Sequence, residues 1–239
     1  KDVTIPAKSA PLNFQTDLEN PTCLLIEGKD SHITVHAEES VFEIPQKAWR
    51  ALLESHAGSD LKLTVCEEKD GEWQAYQSFP IHVAPEKADP YLAYRKLISC
   101  YGQWNRMGVY KRNIETYEES AIYENRLTDY NCVNCHSFPM QDPNKMLFHM
   151  RAKAVGTVLV RDGHIDKLNT KTDSTFAALV YPYWHPSERY VAASVNNTVQ
   201  NFFYHHPNTL EVYDTQSDVV VMDVEKHEIF SNDVLKQDS

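Results

Sequence analysis

The sequence contains no apolar run approaching the ~20 residues needed to span a bilayer, and no basic block offsets its net charge of -11. The first absence leaves this chain without a transmembrane segment. The second argues against nucleic acid, or an anionic membrane surface, as the main partner, because both recruit clustered positive charge. Signatures of nucleophilic or nucleotide chemistry are missing too: there is no G-x-S-x-G, no H-E-x-x-H, no phosphate loop and no dinucleotide fingerprint. The chain therefore reads as a carrier or binder more than an enzyme. The opening "KDVTIPAKSAPLNF" carries no signal-peptide pattern, and since export removes such a segment, the compartment is left open by it. Cysteine is sparse and odd in number, with five in 239 residues. That count fits poorly with a fully paired disulfide scaffold, which a chain long enough to bury a real core does not need. Cys23 and Cys66 lie in apolar or alternating runs and Cys100 lies among aromatics, so all three read as small buried hydrophobes. Cys132 and Cys135 stand apart.

Hydrophobic patterning divides the chain into three parts. Residues 1–88 are β-rich, and "DLKLTVCEEKDGEWQAYQSFPIHVA" is the clearest hairpin. Leu61, Leu63 and Val65 alternate onto one face, Asp70-Gly71 supplies the turn, and Trp73 and Tyr76 resume the strand. One helix is expected within "IPQKAWRALLESHAG", with Pro45 in its first turn, Trp49, Leu52 and Leu53 as its apolar stripe, and Gly58 ending it. Together these predict an immunoglobulin-like β-sandwich with an inserted helix. Residues 89–144 read as a helical and loop linker. Asp89-Pro90 is an N-cap signal, and Tyr94, Leu97, Ile98, Tyr101 and Trp104 have helical spacing. From 145 to 239 the chain is β-rich again and weakly repetitive. "KMLFHM" followed by "GTVLVRDGHIDKL" recurs in form as "RYVAASVN" followed by "SDVVVMDVEKHEIF", the pattern of propeller blades.

Within the linker, "NCVNCHSF" sets Cys132, Cys135 and His136 in the order C-x-x-C-H. Composition makes such a match a roughly one-in-two-hundred chance event in this chain, so coincidence explains it poorly. Covalent haem attachment needs this pattern, because two thiols must reach the two vinyl groups of one haem and the following imidazole must meet the iron. Three other uses stay open. A thioredoxin-type pair needs a βαβ context that "RLTDYN" does not offer. A structural zinc site needs two more ligands, which only Cys100 and His149 could bring from a distance. A plain disulfide between Cys132 and Cys135 suits an exported protein without haem. For the sixth position of a haem iron, Met140 follows His136 too closely. Met146 and Met150 share one side of an expected strand, and His149 on its other side is the first residue to test.

The last part carries a family resemblance. "YWHPSERYVAASVN" resembles the W-S-P-D-G-K-x-I-A-F element of TolB-like β-propellers, and "SDVVVMDVEKHEI" resembles their L-Y-V-M-D-L strand. Glu188 stands where those repeats have Gly, and His185 where they have Ser. The order of a β-rich N-terminal domain, "NCVNCHSF", "NKMLFHMRA" and TolB-like repeats is similar to a group of bacterial exported proteins labelled as cytochrome c or TolB-like. The resemblance implies an exported c-type cytochrome-like protein, periplasmic or in the cell envelope and open to lipid anchoring. It would carry one covalent haem through Cys132, Cys135 and His136, serve electron transfer or redox sensing, and meet a redox partner or envelope protein. Haem is expected to be absent from cytoplasmically produced protein. The alternative is a propeller scaffold that binds protein or glycan, in which the cysteines are only structural. "NNTVQNFFYHHPNTLEVYDTQSD" reads as a long loop between blade strands, with Phe202, Phe203, Tyr204, His205 and His206 as candidate ligand- or partner-binding residues. Residues 145–239 supply at most two blades. A longer parent chain is therefore expected, or, if these residues fold alone, an open strand edge covered by a homodimer or by the 89–130 helical segment.

Overall fold

The computed structural model describes residues 2–20, 22–97, 106–173, 175–203 and 210–236. The chain is mainly β and divides into two compact units, residues 1–93 with 111–120, and residues 94–110 with 121–239. Among the described residues, no helix is long and apolar enough to cross a membrane.

The first unit contains β1 (Val3–Pro6), β2 (Phe14–Gln15), β3 (Thr22–Glu27), β4 (His32–His36), β5 (Val41–Phe42), α1 (Gln46–Ser55), β6 (Asp60–Lys69), β7 (Glu72–Ala75) and β8 (Phe79–Ala84). Six of the strands form one sheet in the order β1-β8-β6-β3-β4, with β7 paired to β6, while β2 and β5 form a separate short ladder. The expected hairpin is β6–β7. Asp70 (φ 56°) and Gly71 (φ 83°) both take the left-handed conformation that a tight two-residue turn demands. Leu61 and Leu63 are buried and Val65 packs beside them. The helix also forms as patterned. Pro45 sits at its N-cap, and Trp49, Leu52 and Leu53 face the sheet residues Leu24, Ile26, Ile81 and Val83. Phe42 of β5 joins the same core. The second layer over the sheet is thus α1 with the β2–β5 ladder.

Three strands follow: β9 (Tyr91–Leu97), β10 (Met107–Asn113) and β11 (Glu119–Glu124), ordered β11-β10-β9, and each contributes residues to both units. Here the expected helix gives way to a strand over its described part. Tyr91, Tyr94 and Leu97 recur every third residue, which suits a helix, but aromatics favour pleated surfaces, and a proline opens an edge strand as readily as a helix. Ile98, Cys100, Tyr101 and Trp104 lie outside the described residues.

The second unit is built on two antiparallel meanders. The first comprises β12 (Val133–Ser137), β13 (Lys145–Met150), β14 (Gly156–Arg161) and β15 (His164–Leu168), paired in chain order. The second comprises β16 (Leu179–Trp184), β17 (Tyr190–Phe202), β18 (Leu210–Asp223) and β19 (Glu228–Lys236), also in chain order. Alternation along β13 serves two cores. Leu147, with Leu159 of β14, packs against Leu179, Trp184, Val191, Val195, Val220 and Met222 of the second meander. Met146, Phe148 and Met150 instead join Val133, Val158, Met107 and Val109. Residues from the span 89–144, expected to form a helical and loop linker, therefore supply part of this second core.

The β16–β17 turn contains Glu188 and His185. Glu188 adopts φ 59°, where glycine would be unstrained, and its carboxylate forms an ion pair with Lys145 at the start of β13. His185 Nδ1 caps the turn by accepting a hydrogen bond from the Ser187 backbone N–H at 3.1 Å.

Candidate functional site

Cys132, Cys135 and His136 lie on or beside β12, the edge strand of the first meander, which pairs within that sheet only with β13. Val133 faces Met150 and Asn134 faces His149, and the ladder resumes with Ser137 opposite Leu147. Two residues of β12, Cys135 and His136, therefore oppose the single residue Phe148, which is a β-bulge. Cys135 takes φ 58° at this point. A bulge re-aims side chains without dismantling the strand, and here it lifts the second cysteine and the histidine out of the ladder. On the outer side of β12, the Val133 N–H donates to Met107 Sδ at 3.3 Å and Arg95 Nη1 donates to the Val133 carbonyl at 3.5 Å.

Both thiols are free and half-buried. Cys132 and Phe138 pack on the cluster of Met107, Val109 and Val133, and the His136 ring meets the Phe138 ring edge-on at 6.3 Å between centroids. Asn131, next to Cys132, is buried. Its Oδ1 accepts a hydrogen bond from the Ala154 N–H at 3.2 Å, which fixes the amide's orientation. Its Nδ2 is sealed from solvent and has no hydrogen-bond partner among the described residues. A buried unsatisfied donor is uncommon enough to ask what would accept from it.

His149 is one ladder rung from the motif and buried. Burial, reinforced by the charge of Arg151, holds its pKa down to about 4, so the ring is neutral at pH 7. Nδ1 lies 3.4 Å from Thr157 Oγ1, which lies 3.1 Å from Thr170 Oγ1. Thr170 Oγ1 in turn accepts the Leu179 N–H at 3.2 Å, and Thr175 Oγ1 donates to the Thr170 carbonyl at 3.0 Å. This polar thread runs from the first meander to the start of the second. Its side chains occupy the face away from Met146 and Met150, as alternation requires.

The expected 196–218 loop is instead a ribbon. The β17–β18 ladder continues to the Phe202–Leu210 rung, beyond the reach of β16 and β19. Cross-strand side-chain bonds extend it, from Asn196 Nδ2 and Thr198 Oγ1 to Asp214 and from Asn197 Nδ2 to Gln216. Phe202 is a strand residue of this ribbon, Phe203 is exposed, and Tyr204, His205 and His206 lie outside the described residues. The structure brings Cys132, Cys135, His136 and His149 onto adjacent strands, while the ribbon belongs to the other meander. Met107 and Asn131 escaped the sequence reading. Met107 lies 25 positions before Cys132 with no spacing rule to link them, and an asparagine before a cysteine carries no signal.

Among the described residues, no group of three or more His, Cys, Asp or Glu side chains is arranged to hold a metal ion. No protein-family model, curated protein or solved structure matches the chain.

Proposed function

We propose that the protein carries one covalently attached haem at the bulged edge of the first meander and uses it for electron transfer or redox sensing. The observation that carries this reading is the bulge. It sets one half-buried thiol and the imidazole outside the ladder of an edge strand, three residues after a second half-buried thiol at Cys132, so a bulky group can attach without breaking a sheet. Cys132 and Cys135 would form the thioethers, and His136 would hold the iron. A haem so held supplies one-electron chemistry at a potential set by its second axial ligand and its burial. Cys132 and Phe138 would give the group an apolar neighbour. Two residues near the motif would be candidates for a second ligand to the iron. Met107 brings a thioether to the backbone between the cysteines. His149 is neutral, as a metal ligand must be, with Nδ1 held by Thr157.

The fold supports the surrounding reading. Two consecutive four-stranded antiparallel meanders, stacked through a shared core, are what adjacent TolB-like blades would give. The order β8-β6-β3-β4 matches the G-F-C-C′ sheet of an immunoglobulin-like sandwich. Haem attachment of this type requires export, so the protein would work in the periplasm or cell envelope, against a redox partner protein.

The test is a pyridine haemochrome spectrum of protein exported in a host with c-type maturation. Haem should survive acid-acetone extraction in the wild type and vanish in the Cys132→Ala, Cys135→Ala double variant. Colourless wild-type protein would overturn the reading. The second reading, a scaffold binding protein or glycan, is favoured by the exposed Val199, Val212 and Tyr213 of the ribbon.

A further inference from the structure

The sequence treats Cys23 and Cys66 as unrelated core residues 43 positions apart, but β3 and β6 place them directly opposite each other on one antiparallel rung. Residues so paired have Cα atoms about 4.5–5.5 Å apart, inside the roughly 4.4–6.8 Å span that a disulfide bridges. The flanking rungs fix which face they occupy. Leu24 and Ile26 point into the core while Cys23, Leu25 and Glu27 alternate to the outer face, and both thiols are half-buried and free. The rung continues to His36 on β4 and Ala75 on β7, and the His36 ring meets that of Trp73 of β7 edge-on at 6.1 Å between centroids. Among the described residues, no other cysteine lies on this sheet.

We propose that Cys23 and Cys66 are an oxidisable dithiol, which a low-molecular-weight disulfide such as oxidised glutathione converts to an intramolecular cross-strand disulfide. One cysteine, as its thiolate, attacks the small disulfide, forming a mixed disulfide and releasing one small thiol. The other cysteine then attacks the sulfur of its neighbour and releases the second. Two protein thiols are oxidised, one small disulfide is reduced to two thiols, and the two cysteine protons end on those thiols. Burial, and then the adjacent Cys66, raise the Cys23 pKa, so reaction should quicken with rising pH as more thiolate forms. The bond would close a loop carrying β4, β5 and α1, the segment that supplies Phe42, Trp49, Leu52 and Leu53 to the core. It would thus convert the second layer of this unit from packed to packed and tethered. The inference is independent of haem at Cys132 and Cys135.

The test uses the full native chain, reduced and then equilibrated across a glutathione redox series. Remaining thiols are trapped with N-ethylmaleimide, and peptides are mapped by mass spectrometry without reduction. A Cys23–Cys66 linked peptide, about 2 Da lighter than the two free peptides together, should accumulate with oxidant and disappear with dithiothreitol. Cys66→Ser should leave Cys23 as a mixed disulfide with glutathione and never bridged. The proposal is overturned if Cys23 and Cys66 remain fully alkylated at the oxidising end of the series, or if Cys23 is bridged to any other cysteine. Because the wild-type chain gives the decisive reading, a poorly folding variant leaves the result intact.

Discussion

The two meanders share a strand count and a connectivity but differ in what covers them. β13 of the first is buried at every position from Met146 to Met150, because one face meets the second meander and the other meets Met107 and Val109. The corresponding strand of the second, β17, alternates, with Val191, Ala193 and Val195 inward and Ala192 and Ser194 half-exposed. On β16, Tyr181 and Tyr183 stand in solvent. A strand in the middle of a stack reads as a near-continuous apolar run, and a strand on its outside reads as alternation. The cysteine motif belongs to the enclosed meander, but it occupies that sheet's edge. Enclosure supplies an apolar setting there, and the edge supplies access.

The comparison can be broken most sharply by truncation. Leu159→Ala, at a fully buried position of the first meander, should cost about 2–5 kcal/mol, whereas Tyr183→Ala on the open face of the second should stay within about 0.5 kcal/mol. Urea denaturation of both variants checks this, and equal costs would mean the layering is wrong. A smaller difference is expected at the closing turns. The second meander closes its last hairpin with Asp223, which is buried and accepts hydrogen bonds from Arg189 and from the backbone N–H groups of Glu225 and Lys226. The first closes with Asp162 and Gly163 in left-handed conformations and needs no such anchor. Asp223→Ala should lower the denaturation midpoint more than Asp162→Ala does, with Asp223→Asn intermediate.

The polar thread between the meanders gives a pH test. The folded state holds the His149 pKa at about 4, below its ordinary 6.5. The unfolded chain therefore takes up the proton first as pH falls, and the contribution of this group is complete above pH 6.5 and lost progressively down to about 4. His149→Gln should remove that component from the pH–stability curve. Indistinguishable slopes in wild type and variant would show that the ring is not the titrating group. The smallest effect is expected at Glu188. Glu188→Gly relieves a left-handed residue and forfeits the ion pair to Lys145, two changes of opposite sign. Its midpoint should barely move, and added salt should narrow the remaining gap.

Much of this architecture was legible from local signals. The β6–β7 hairpin followed from alternation and Asp70-Gly71, and α1 from the Trp49, Leu52 and Leu53 stripe. The cysteine motif was legible as a motif, but its setting was not. A bulge is a mismatch between two strands, so nothing within "NCVNCHSF" announces that Cys135 and His136 will oppose one residue of β13. The same limit explains 91–97, where helically spaced aromatics form a strand because pairing is decided elsewhere. It also hid the ribbon, since a polar run such as "NNTVQN" extends as a ladder only if "EVYDTQS" returns beside it. Cys23 and Cys66 make the point most simply. Each alone is a small apolar residue, and only register makes them neighbours.

The parallel pairing of β1 with β8 has a further consequence for how the first unit is made. Val3 lies opposite Ile81, and Pro6 opposite Ala84. β1 therefore leaves the ribosome well before its neighbour exists. The hairpin of β6 and β7 can close as soon as its turn emerges, but the sheet's first-synthesised strand must wait for its last. Contacts of such long sequence separation carry a large loop-closure cost, so the outer edge of β8 is completed by a segment synthesised a long interval before it. A pause introduced before residue 84 should prolong that interval, and protease sensitivity of the residues around Val3 on stalled chains would report it.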